Sequence, residues 1–164
     1  MSSDDLALMA HLMRRAGFGA TRDELEAYVA NGYEATVEDL VDPKEEPYDK
    51  YEFLRLHPEF TRAVTLPGMG SCNWLHTMIA TKRPLEEKMV LLWHQIFATG
   101  QSKIDSYNVM NMQIEMFREH ALGNYRDFLV ALAKDPAMIY WLDNNENHAD
   151  AVNENWGREL RELF

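Results

Sequence analysis

The sequence predicts an all-α fold, an irregular array of about eight to nine helices around one core. Three observations carry that prediction. Apolar residues recur at helical spacing along most of the 164 residues, helix start and stop signals are dense, and no strand-like alternation interrupts them. Uneven helix lengths and short connections favour sharp turns between neighbours over a regular four-helix bundle. The chain reads as a single helical domain over 1–164. At 46% hydrophobic residues it can bury roughly 70% of the surface its unfolded form exposes.

The first helix runs from Asp5 to Ala16, with Leu6, Met9, Leu12 and Met13 at helical spacing, and Gly17-Phe18-Gly19 ends it. Thr21 and Glu24 form a capping-box pattern for the second, whose stripe is Leu25, Tyr28 and Val29 and whose stop is Asn31-Gly32. A short helix from Glu34 to Val41 ends before Pro43. Residues 43–72 hold Pro43, Pro47, Pro58 and Pro67 with Gly68 and Gly70, which leaves one short helix from Tyr48 to Leu56 in the least regular region. From Ser71 the helices become more apolar, beginning with a Trp74, Leu75, Met78 and Ile79 stripe. Pro84 sits at a favoured first-turn position of a helix reaching about Thr99. That helix carries Leu85, Met89, Val90, Leu91, Leu92, Trp93, Ile96 and Phe97, apolar nearly all round, and is expected to be central. Helices from Ser106 to Leu122 and from Asn124 to Lys134 follow, and Asp135-Pro136 caps a short one through Leu142. A polar loop then opens into a final amphipathic helix.

Charge excludes some partners. Sixteen Lys and Arg against 27 Asp and Glu give −11, which repels nucleic acid and anionic membrane surfaces. Cys72 has no second cysteine to pair with and is expected to be a small buried apolar residue. Asp4 and Asp5 precede the first apolar run and Arg14-Arg15 follow it, the reverse of a signal peptide, and no run of about 18 apolar residues exists. The chain shows neither an export signal nor a transmembrane segment, and its localisation stays open.

Five stretches resemble the bacterial family called domain of unknown function 1800. They are His11 to Gly19, Pro84 to Thr99, His120 to Asp127, Lys134 to Asn144, and Asn153-Glu154-Asn155 through Glu162-Leu163-Phe164, and they fall in order along the whole chain. The resemblance implies no established activity. It implies a longer architecture of which this chain is the N-terminal part, and members that are often exported. Trp156, Leu160, Leu163 and Phe164 give the last helix an apolar face that needs a cover, from this core, a protein partner or a second copy.

Three constellations could carry chemistry. Asp143, Asn145, Asn147 and Glu154 fall at positions 1, 3, 5 and 12 of a calcium-loop template, although His148 replaces the glycine its turn requires. A looser oxygen-ligand site for a divalent cation such as Ca is the alternative, and ordinary helix-connecting polarity is the bland one. On the final helix, Glu154, Arg158 and Glu162 read as solvated i,i+4 pairs, while Asn153, Asn155, Arg158 and Glu159 read as a polar network lining a pocket, a role the family resemblance supports. His94, with Glu87 two turns earlier, reads as a packed core histidine or as a ligand or general base oriented by that carboxylate. Met110, Met112 and Met116 fill gaps at core-like positions, and His120 does not complete a di-iron pattern. Nucleophile elbows, Walker loops and dinucleotide fingerprints are missing from the sequence.

The leading expectation is a soluble helical scaffold or interaction domain with a divalent-cation or small-ligand site across 143–162. The rival is a catalytic fragment, hydrolytic or redox, that uses His94 with Glu154 or Glu159.

Overall fold

The computed structural model describes residues 2–49, 51–58 and 69–162, and among them every extended element is a helix. Ten α-helices follow in order: α1 (Ser3–Ala16), α2 (Arg22–Asn31), α3 (Tyr33–Val41), α4 (Glu52–Leu56), α5 (Met69–Ala80), α6 (Pro84–Ile96), α7 (Tyr107–His120), α8 (Tyr125–Leu132), α9 (Pro136–Trp141) and α10 (Asn155–Glu162). A 3-10 turn at Asn144–Glu146 and an isolated bridge between His148 and Ala151 lie in the polar loop. No helix among the described residues is long and apolar enough to cross a membrane. Pro67, Gly68, Leu163 and Phe164 lie outside the described residues.

Local chemistry sets most boundaries. The capping box expected at Thr21 and Glu24 forms, and a second one forms at Ser2 and Asp5, so α1 starts two residues earlier than its apolar stripe suggests. Gly32 ends α2 at φ +96, a conformation in which a side chain would be strained, and α3 begins at the next residue. Asn124 and Asp135 cap α8 and α9 by accepting backbone N–H groups. The helix expected from Tyr48 begins only at Glu52 because Asp49 accepts Tyr51 N–H at 2.9 Å and holds Arg55 at 2.7 Å, closing a local turn that competes with helix.

The core lies among α6 to α9. Val90 of α6, Phe97 at its C-cap, Ile114 and Phe117 of α7, Phe128 and Leu132 of α8, and Met138 of α9 belong to one cluster. Phe128 meets Trp93, Phe97 and Phe117 edge to face, with ring centroids 5.1, 5.3 and 5.5 Å away. Such contacts add to area burial because the positive ring edge faces the negative ring face. Trp93 donates its indole N–H to Ala121 O at 3.0 Å, which fixes α6 on the end of α7.

α6 is central in position, touching α1, α3, α5 and α7. It is not enclosed all round. Leu91, Leu92 and Ile96 remain exposed, because neighbours fully bury only Glu87, Val90 and the C-capping Phe97 and leave Met89 and Trp93 partly covered. Two smaller expectations also fail: Cys72 is exposed rather than buried, and Met112 is exposed rather than part of the core.

Candidate functional site

The polar segment after α9 folds back as a clamp on that helix. An α-helix leaves its last carbonyls without intrahelical partners. Here side chains supply the missing donors: Lys103 Nζ reaches Trp141 O at 2.8 Å, Asn153 Nδ2 reaches Leu142 O and Asp143 O at 3.0 and 2.9 Å, and Asn155 Nδ2 shares Leu142 O at 3.0 Å. Asn153 Oδ1 then accepts Asn155 N–H at 2.8 Å and so caps the entrance to α10. Arg158 donates to Asn155 Oδ1 at 3.2 Å. Asp143 turns the chain at φ 57, the left-handed geometry common just past a helix end.

The four loop oxygens proposed for a cation are placed differently from one another. Asp143 Oδ1 binds Lys103 Nζ at 2.6 Å, Asn147 Oδ1 accepts Asn153 N–H at 3.0 Å, and Asn145 and Glu154 are exposed. Among the described residues no group of three or more His, Cys, Asp or Glu side chains is arranged to hold a metal ion. Glu159 lies 3.7 Å from Arg158, so the nearest ion pair on α10 is between adjacent residues rather than across a turn.

His94 lies between the rings of Trp74 and Phe117, with centroids 5.2 and 6.1 Å away. Burial pushes its imidazole below the ordinary 6.5. It borders a 190 Å³ cavity with Trp74, Thr99, Gln101 and Asn111. Among the described residues no hydrogen bond or ion pair joins it to Asn153, Glu154, Asn155, Arg158 or Glu159.

Glu87 does not orient His94. Its carboxylate is 1% exposed and is held by Arg118 through Nε to Oε1 and through Nη2 to Oε2 at 3.2 Å, while Trp74 donates to Oε2 at 3.0 Å. Arg118 also meets Glu115 at 2.9 Å. Burial pulls the guanidinium pKa down, but hydrogen bonds and charge from Glu87 and Glu115 outweigh it and hold Arg118 above its ordinary value. α5, α6 and α7 are thus tied through one buried carboxylate. A second buried chain runs from Thr99 to Gln113 Oε1, then from Gln113 Nε2 to Asp135 Oδ2 at 2.7 Å, joining the end of α6 to α7 and the cap of α9.

A family model described as "Protein of unknown function (DUF1800)" matches residues 11–164. The chain belongs to the DUF1800 family. No curated protein and no solved structure matches it.

The stretches that carry the DUF1800 resemblance meet one another in space. Gly17, at the end of the first, lies against Pro84, which opens the second; a Cβ there would stand 3.1 Å from Pro84 Cβ and 3.2 Å from Met13 O. Trp93 of the second donates to Ala121 of the third, and Asn153 and Asn155 of the last close the end of the fourth. The residues in these contacts build joints of the fold.

Sequence reasoning missed a cleft of 520 Å³ between α4, α5 and α7. Asn73 and Tyr107 line it, and each has a buried side-chain oxygen with no hydrogen-bond partner among the described residues. The helical spacing of Asn108, Asn111, Glu115 and Glu119 was the signal available, since these four polar positions fall on one stripe of α7.

Proposed function

We propose that this DUF1800 chain is a helical scaffold and interaction domain that pairs with a second copy of itself. The observation that carries the reading is Ile79, 84% exposed at the rim of a 570 Å³ hollow lined by Met13, Phe18, Tyr28, Leu75 and Met78. Leu75 and Phe18 are exposed beside it. Each large apolar side chain left in water forgoes about 1.5–3 kcal/mol. A projecting apolar side chain next to a hollow whose walls are mainly apolar, with Glu24 and Lys82 among them, is self-complementary under two-fold symmetry, since each copy supplies both parts. The terminal helix offers less, because Trp156 packs against the molecule's own core and Leu160 is half-buried.

The segment 143–162 supports the scaffold reading over a divalent-cation or small-ligand site. Its amides hold the end of α9 and its first carboxylate faces an ammonium group. The catalytic alternative needs His94 beside Glu154 or Glu159, and the aromatic faces of Trp74 and Phe117 flank that imidazole instead.

Sedimentation velocity over a concentration series tests the proposal. The chain should form a dimer at high micromolar concentration, more readily as salt screens the −11 charge of each copy. The double variant Leu75→Asp, Ile79→Asp should remain monomeric with an unchanged melting temperature, since both side chains already face water. A wild type that stays monomeric at high concentration and high salt would overturn it.

A further inference from the structure

We infer that the cleft between α5 and α7 binds an aliphatic polyamine. This site is separate from the apolar hollow. Tyr107 is only 8% exposed, and its hydroxyl finds no partner among the described residues; the Asn73 Oδ1 atom on the opposing helix is equally orphaned. Buried polar atoms are nearly always hydrogen-bonded, so two unpaired oxygens in one 520 Å³ cleft mark a place where ligand donors belong. An ammonium group has three donors and no acceptor, which suits oxygen atoms lacking a donor.

Charge and shape narrow the ligand. Among the described residues the lining contains Glu115 and Glu119 and no Lys, Arg or His. Glu115 shares its charge with Arg118, whereas Glu119 is exposed and has no ion-pair partner among the described residues. Met112 and Met116 lie beside these carboxylates along the same stretch of α7 and offer soft apolar contact to methylene groups. From Asn108 to Glu119 the polar stripe spans about 16 Å at the rise of an α-helix. A lysine side chain, with its four-carbon stem, covers about a third of that, so a free chain bearing several ammonium groups fits better than a single residue of a partner.

The test is calorimetric titration of the whole chain with spermidine at physiological salt. One saturable site is expected, with acetyl-lysine amide, which carries a single ammonium, at least about tenfold weaker. Tyr107→Phe keeps the charge and should weaken spermidine about fivefold without loss of thermal stability, because the hydroxyl it removes has no partner in the fold. Glu119→Gln should also weaken binding, whereas Glu154→Gln, the same charge change at an exposed carboxylate of the polar loop, should not. Equal effects of Glu119→Gln and Glu154→Gln together with none from Tyr107→Phe would show attraction to net charge alone and overturn the inference. So would equal affinity for acetyl-lysine amide, or no binding at all.

Discussion

Asp135 and His94 are both withdrawn from water, and they respond to pH in opposite directions. Burial raises the Asp135 carboxyl above 3.8 even though Met138 N–H and Gln113 donate to it. The folded chain therefore binds this proton more tightly than the unfolded chain, and the contribution to stability is greatest below 3.8 and declines as pH rises through the folded value. Asp135→Asn retains a capping oxygen, so wild type should lose stability relative to this variant across that window in denaturant titrations. His94 is lowered by burial, so its contribution is intact above 6.5 and is lost as pH falls from 6.5 toward the folded value. Wild type should weaken relative to His94→Gln over that range; parallel pH curves for wild type and variant would contradict the assignment. Sequence spacing put Glu87 on the same side of the helix as His94, but its carboxylate pairs with Arg118, 31 residues away on another helix. Pairing at that distance follows from tertiary packing, which no local pattern encodes.

Element boundaries were the most legible level, because caps are local chemistry. Thr21 with Glu24, Gly32, Asn124 and Asp135 act where their residue types suggest. The exception at Asp49 has the same origin, a short side chain that captures a nearby N–H before helix can form. Between elements, the Glu87–Arg118 pair gives a sharper prediction. Arg118→Met leaves a buried carboxylate without its counter-charge and should cost about 3–5 kcal/mol. Glu87→Leu combined with Arg118→Met should recover most of that loss, since an apolar pair of similar size needs no desolvation. Urea unfolding of both proteins measures the difference, and a double variant no more stable than Arg118→Met would argue against burial as the source.

At the scale of the molecule, the sequence revealed a helical array and much of its core but neither cavity. The α5–α7 cleft and the hollow beside Ile79 arise from how helices far apart in sequence are placed, so their residues looked like ordinary polar and apolar stripes. The polar loop was legible as a concentration of oxygen and amide groups. Its task was not, because the carbonyls it serves belong to the backbone at Leu142 and Asp143 and leave no mark in side-chain identity. The central claim is that residues 143–158 hold α9 and α10 together rather than an ion. Thermal unfolding of wild type and Asn153→Ala, each with calcium and with chelator, tests it most directly. The account predicts that Asn153→Ala loses about 1–3 kcal/mol, as expected for carbonyls stripped of a donor, and that neither protein's melting temperature responds to calcium or chelator. A calcium-dependent rise in the wild-type melting temperature that Asp143→Ala abolishes would contradict it.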